Sequence, residues 1–435
     1  MKLELIVPAT EISWRGQKAA FPPLGLATVA ALTPPEVEVS LTDENVADID
    51  FQKEVDLVGI TALTATAQRA YAIADKFRAR GVKVVLGGAH PSALPGEATR
   101  HADAIVIGEA EGIWQNLIDD FKANKLQDIY RQNEKPSLVN LPIPRRDLFA
   151  KGAYIFRQTI SASRGCPYSC SYCSVTALFG HKYRCRPVEE VIREIETLNH
   201  RKLIGFVDDN ITCNPEHAKE LFRALIPYKI KWGVQASVTI ARDDELLKLA
   251  AASGCIALLV GFETLSKANI ANLGKKANIV DEYETVIKRI HSHGIAIDGL
   301  FILGLDEDDE GVFERTVHFA QSMHLECAQF AWPIPYPGTA FYESLDKAGR
   351  LVTKDWSQYE YNIVFEPKLM SREVLQQWHA RVWSNFYSLP SIWGRVGMTR
   401  RNLSSLWALN LYYRAFWQKK LKADKQQRGK ICPVA

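Results

Sequence analysis

The stretch Ser163-Arg164-Gly165-Cys166-Pro167-Tyr168-Ser169-Cys170-Ser171-Tyr172-Cys173 sets three cysteines at spacings of four and three residues, just after an apolar, strand-like run. Three thiolates from one short loop suit an iron–sulfur cluster. The cubane form of such a cluster takes four cysteine ligands, so a set of three leaves one iron open to a ligand from outside the chain. A structural zinc site is the competing reading, and it requires a fourth Cys or His at compatible spacing. His181 and Cys185 lie near enough in sequence to be considered for that place.

Downstream of the loop, strand-like runs alternate with helical patterns at residues 155–163, 203–207, 232–236, 257–261, 295–303 and 328–333. Val188, Val191, Ile192, Ile195 and Leu198 recur on one helical face behind Pro187, as expected for an amphipathic helix entered through proline. Six β/α units of this kind predict a partial parallel barrel, with its chemistry at the carboxyl ends of the strands. The first strand delivers the cysteine loop at that end.

With these elements in place the chain resembles the radical S-adenosylmethionine enzymes, whose signature is Cys-x3-Cys-x2-Cys with an aromatic, here Tyr172, before the third cysteine. The resemblance implies a [4Fe-4S] cluster on Cys166, Cys170 and Cys173. It further implies that S-adenosylmethionine chelates the open iron and is cleaved to a 5′-deoxyadenosyl radical. Strand ends then supply expected contacts to that nucleotide. Asp208 and Asp209 would accept from its amino group or, alternatively, cap a helix. Gln235, Ser237 and Glu263 would meet its methionine and ribose parts, and the run 299–305, with Gly304, would pack on adenine. Pro335-Tyr336-Pro337-Gly338-Thr339 resembles a turn closing the site. Lys182, Arg184 and Arg186 are expected to neutralise the charge around the cluster, and Cys185 to be a packed thiol.

Residues 1–140 read as a separate doubly wound α/β domain, with strands at 3–8, 37–41, 57–61, 83–86 and 104–107. Ala70, Ile73, Ala74 and Phe77 form a helical face that stops at Gly81. Such folds bind nucleotide-like ligands at the carboxyl ends of their strands. The loops there carry Thr61, Thr64, Gly87, Gly88, His90, Gly108 and Glu109; glycine permits close backbone approach. Together they resemble the cobalamin-binding domain of the cobalamin-dependent (class B) branch of that family, especially Gly87-Gly88-Ala89-His90-Pro91 and Gly108-Glu109-Ala110-Glu111. No Asp-x-His occurs, so cobalt is expected without a histidine ligand. His90 is then either a residue at the cofactor's periphery or a structural histidine. The absence of Gly-x-Gly-x-x-Gly argues against a dinucleotide, and the absence of any cysteine before Cys166 argues against the tRNA-methylthiolating relatives.

Residues 124–151 are polar and carry Pro142 and Pro144, which predicts an extended linker (141–153); solvated surface positions are the first reading of Arg145 and Arg146, and reach to a phosphate or carboxylate is the second. The barrel is expected over 154–345 and a helical region over 346–435. In that tail Leu406, Leu409, Tyr413, Phe416 and Trp417 recur at helical spacing, while Arg414, Lys419, Lys420 and Lys422 charge the other side or the end. A helix packed on the barrel is the first reading, and a basic amphipathic helix in peripheral contact with a membrane is the second.

The chain has 435 residues and a net charge of +3. Residues 390–435 hold ten Lys and Arg against one acid, a local +9 that leaves −6 on the remainder. No stretch has the roughly 18 charge-free apolar residues of a membrane span. Five scattered cysteines (185, 213, 255, 327 and 432) fit a reducing cytoplasm better than a disulfide framework. The start of the chain reads as a first strand rather than a signal peptide.

The resemblance implies a methyltransferase in which one S-adenosylmethionine methylates cobalamin and a second provides the radical, so that methyl reaches an unactivated carbon of a small-molecule or lipid-like substrate. It also implies a reducing partner such as flavodoxin or ferredoxin and no nucleic-acid partner. A non-methylating relative (cyclisation, ring contraction or oxidation) and a non-catalytic cobalamin or cluster sensor are the alternatives.

Overall fold

A computed structural model describes residues 1–9, 18–397 and 403–431, with side chains as far as 419. Cys432 and the side chains of Lys420 and Lys422 lie outside the described residues. The chain forms two compact units, Met1–Asp209 with Ile334–Val364, and Asn210–Pro333 with Phe365–Ala435.

The first unit is built on six strands: β1 (Lys2–Val7), β2 (Glu38–Asp43), β3 (Leu57–Thr61), β4 (Lys83–Gly87), β5 (Ala104–Ile107) and β6 (Ile129–Arg131). They pair in parallel in the order β2-β1-β3-β4-β5-β6. Side chains alternate between its faces, as a pleated strand requires. Leu3, Leu5, Leu57 and Val85 pack with Trp114 and Leu117 on one side, while Ile6, Val58, Ile60 and Leu86 pack with Ile73 and Phe77 on the other. Both faces are therefore covered, which is why these strands read as continuous apolar runs. The Ala67–Arg78 helix buries the expected Ala70, Ile73, Ala74 and Phe77, and Gly81 follows with φ +81.

Strand β6 was not expected. Ile129-Tyr130-Arg131 lies in the polar connection and forms only three residues of edge strand. The segment beyond it is anchored as well, with the Arg145 amide donating to the Ala27 carbonyl at 3.0 Å.

The same unit continues through β7 (Gln158–Ile160), β8 (Ser163–Arg164), β9 (Arg184–Cys185) and β10 (Leu203–Phe206). Strand β7 runs parallel to β10, and β8 antiparallel to β9. The run expected as one strand over 155–163 is thus two short pieces, because Ala162 and Ser163 turn to meet Asp208. Trp356 and Tyr359 of the 334–364 segment pack on the β3–β4 face. The compact units divide the chain after Asp209, Pro333 and Val364, and the cysteine loop falls in the first.

The second unit carries β11 (Lys231–Ala236), β12 (Cys255–Glu263), β13 (Ala296–Ile302) and β14 (Cys327–Ala331), paired in parallel in chain order. Phe262, Phe301 and Phe330 stack across adjacent strands with centroids 5.6 and 5.7 Å apart. Three tail helices follow, Arg372–Phe386, Leu389–Val396 and Leu403–Ile431. Arg395 is buried over the Phe386 ring at 3.6 Å and donates to the Leu325, Glu326 and Phe386 carbonyls. The last helix packs through Leu406 and Asn410, and Trp417 stacks on Trp383 at 4.3 Å. Leu411 and Tyr412 remain exposed. Among the described residues no helix is long and apolar enough to cross a membrane.

Candidate functional site

The cysteine loop begins where β8 ends. Gly165 has φ +84, and a Cβ there would stand 2.7 Å from the Lys182 carbonyl oxygen. The turn therefore requires glycine. Its amide donates to Asp209 at 2.9 Å. Farther along, the Cys173 amide donates to the Cys170 carbonyl, the Thr176 hydroxyl to the Tyr168 carbonyl, and the Phe341 amide to the Ser171 carbonyl. This last contact ties the loop to the residues after Pro335-Tyr336-Pro337-Gly338-Thr339, where a Cβ on Gly338 would be 3.5 Å from Ala93 and 3.7 Å from Ala177.

Cys166, Cys170, Cys173 and the neighbouring Tyr172 are all half-buried. Burial pushes the Cys173 thiol up, the Val175 and Thr176 amides pull it down, and Cys166 raises it again. Three thiols on one short turn are the donor set an iron–sulfur cluster takes, and among the described residues no three Cys, His, Asp or Glu side chains are already gathered as a metal site. Cys185 is half-buried, with its thiol pushed to about 11 chiefly by burial. The His181 ring lies 3.3 Å from the Ser169 hydroxyl.

Asp208 and Asp209 take different roles. Asp208 is buried and accepts from the Ala162 amide and the Ser163 hydroxyl; burial raises its carboxyl to about 6. It closes the strand end rather than capping a helix. Asp209 lines the main cavity of the unit.

That cavity has a volume of about 640 Å³ at the carboxyl ends of the first sheet. Its wall includes the expected Thr61, Gly87, Gly88, Gly108 and Glu109, together with Ser163 and Arg164 of β8. Gly88 has φ +98, and a Cβ would lie 2.7 Å from the Thr61 hydroxyl and 2.8 Å from the Ala62 carbonyl oxygen. This glycine-floored, mostly apolar cradle with a few hydroxyls suits a large ligand held through backbone contact. Thr64 and His90 stand behind the wall. His90 is fully buried, its ring nitrogens 3.4 Å from Thr64 and 3.3 Å from Glu97, with Trp356 packed edge-on at 5.2 Å. Burial holds its pKa down, and its ring stands among these partners rather than in the cavity wall.

Of the two arginines expected at the surface, only Arg145 lies there. Arg146 donates to Glu194 and to the Thr159 carbonyl, whereas Arg145 is exposed and pairs with Asp147. Arg186 also pairs with Glu194, and Arg184 pairs with Glu109. Two of the three expected neutralising cations, Arg184 and Arg186, thus already hold carboxylates of their own, and Lys182 is exposed. Glu190 and Glu194 were missed by the sequence reading because a helical face scored for apolar residues passes over buried acids.

In the second unit, Gln235 is exposed on β11. Ser237 accepts from the Thr239 amide at 3.4 Å, and its own amide donates to Asn210 at 3.2 Å. Glu263, at φ +64, pairs with Lys275. Gly304, at φ +89, donates its amide to Asp308 at 3.0 Å. Lys275 and Asp308 had no motif to reveal them. These groups stand at or just beyond the carboxyl ends of β11, β12 and β13.

Comparison with known proteins bears on all of these features. Residues 160–320 match the Radical SAM superfamily, and residues 18–118 match the B12 binding domain. The bacteriochlorophyllide d C-12(1)-methyltransferase of Chlorobaculum tepidum is 30% identical over 429 residues, covering 95% of this chain and 93% of that protein. The C-8(2)-methyltransferase of the same organism is 30% identical over 383 residues, covering 82% and 84%. Among solved structures, the radical S-adenosylmethionine methyltransferase TsrM from Kitasatospora setae, with cobalamin and a [4Fe-4S] cluster bound, superposes with a TM-score of 0.72 at 15% identity, covering 97% of this chain and 99% of that one. The cofactors are a [4Fe-4S] cluster, S-adenosylmethionine and cobalamin. This chain belongs to the cobalamin-dependent radical S-adenosylmethionine methyltransferases.

Proposed function

We propose that the enzyme methylates an unactivated carbon of a small-molecule or lipid-like substrate, with Cys166, Cys170 and Cys173 holding the cluster and the Gly88 cradle holding cobalamin. The observation that carries this reading is the 30% identity over 95% of the chain to a relative whose name places its methyl group on a bacteriochlorophyllide. When bound, the cofactors supply a hydrogen-abstracting radical and a methyl donor. The chain's part is orientation and exclusion of water. Gly165 and Asp209 fix the start of the cysteine loop, and Gly87, Gly88 and Gly108 line the cavity proposed for cobalamin. An external one-electron donor of the flavodoxin or ferredoxin kind, in a reducing cytoplasm, completes the proposal.

The test is anaerobic reconstitution followed by assay with bacteriochlorophyllide d as the first substrate probe. Formation of both 5′-deoxyadenosine and S-adenosylhomocysteine, with one methyl added to the substrate by mass spectrometry, is the expected result. Deoxyadenosine alone would replace methyl transfer by other radical chemistry, and neither product would leave a sensor.

A lipid-like substrate also suits the tail. Leu389, Trp393, Leu403, Leu411 and Tyr412 are exposed, Trp393 at 71%, and Trp393 meets Trp407 at 5.9 Å. With the basic end of the sequence, these exposed apolar and aromatic side chains support contact with an anionic lipid surface. Co-sedimentation with phosphatidylglycerol vesicles, lost on Trp393→Ser, checks it.

A further inference from the structure

The two-stranded ladder at the cysteine loop contains an electrostatic problem. Arg164 on β8 stands directly opposite Arg184 on β9, and like charges in that register repel. Glu109 resolves it, with Oε1 accepting from Arg164 at 2.8 Å and Oε2 from Arg184 at 2.7 Å. Glu111 accepts a further bond from Arg164 at 2.6 Å, and Arg184 donates to the Pro136 carbonyl at 2.8 Å. All four side chains are largely buried, where such pairs are little screened by salt. Burial opposes the Arg164 charge, yet Glu111 and Glu109 outweigh it and raise its pKa.

Each acid comes from the loop Gly108-Glu109-Ala110-Glu111, which walls the cavity. Each arginine flanks the cysteine loop, and Arg164 is two residues before Cys166. A shift of the 108–111 loop is therefore transmitted through two forked guanidinium contacts to the backbone that begins the cluster-binding turn. Asp209 belongs to the same group, since its carboxyl, raised first by burial, feels Arg164, Glu109 and Arg184 while it holds the Gly165 amide.

We propose that Glu109 is a positioning residue that couples the cavity to the cysteine loop, so that cobalamin in the cavity changes the surroundings of the cluster at Cys166. This inference rests on the cofactor reading above. Its test is the 57Fe Mössbauer spectrum of the reconstituted enzyme, recorded with and without hydroxocobalamin, a readout independent of turnover. In the wild type the quadrupole splitting is expected to change on adding cobalamin. In Glu109→Gln, with iron and cobalamin contents matched to the wild type, the two spectra are expected to superimpose. An unchanged wild-type spectrum, or a full wild-type change in the variant, overturns the coupling while leaving the cofactors in place. Failure of the wild type to load iron or cobalamin overturns the cofactor reading and the coupling with it. Where circular dichroism shows Glu109→Gln unfolded, Glu111→Gln, which removes only one contact to Arg164, is expected to give a reduced change; a full one overturns the proposal.

Discussion

The strand ends of the two units are furnished in opposite ways. In the first unit, β4 ends in Gly87, Gly88 follows it, and both glycines stand in a largely apolar cavity wall. In the second, β12 ends in Glu263 and β13 is followed by Gly304 and Asp308, where carboxylates are already engaged by Lys275 and by backbone amides. The first arrangement makes room, and the second fixes polar groups in place. A large ligand that must lie on backbone suits the former, while a small polar one that must be oriented suits the latter.

The largest expected effect tests whether the chemistry belongs to the first unit at all. Cys170→Ala should abolish 5′-deoxyadenosine formation and remove most of the iron, measured by chromatography and metal analysis; retained product would refute the cluster assignment. Next comes Glu263→Gln, which removes the carboxylate charge facing the Lys275 ammonium in a largely buried site. Breaking buried pairs costs about 3–5 kcal/mol, and urea denaturation should show a loss near the lower end of that range. Gly88→Ala introduces a Cβ against Thr61 and Ala62 at φ +98. Strain of this kind costs about 1–3 kcal/mol, and cobalamin binding by spectral titration should weaken along with the melting temperature. If the fold tolerates the change and cobalamin binds undiminished, the cradle is not backbone-limited.

The smallest effect concerns pH. Asp298 is buried on β13, paired to Gln329 at 2.8 Å, and burial raises its carboxyl from 3.8 to about 6. A carboxyl raised in the folded state favours folding fully below its unfolded pKa, and that contribution is lost as pH climbs through about 6. Above pH 6, Asp298→Asn should accordingly be more stable than the wild type by about 1–2 kcal/mol, with the advantage fading toward pH 4. Denaturation midpoints at pH 4, 6 and 8 decide this; a variant that is less stable at pH 8 would mean that the ionised group is sustained by contacts.

What the sequence made legible was local. The cysteine spacing, the Gly87-Gly88 pair and the runs of β3 and β5 are each contained in a few consecutive residues, and both strands have the expected bounds. What escaped depends on distant partners. Arg146 reads as a surface residue until Glu194, 48 positions away, is brought beside it. His90 reads as a loop histidine until Trp356 packs on it and covers it. Strand β6 is too short and too polar to register, since only Tyr130 of its three residues is buried.

The ladder of β8 and β9 also constrains how such enzymes diverge. With Arg164 facing Arg184, loss of the acid at 109 leaves two mutually repelling bases in the interior, so drift at these positions must be concerted. Lineages that replace Glu109 should also have replaced one of the two arginines, and a pairwise covariation signal joining 109, 164 and 184 should emerge once enough descendants are compared.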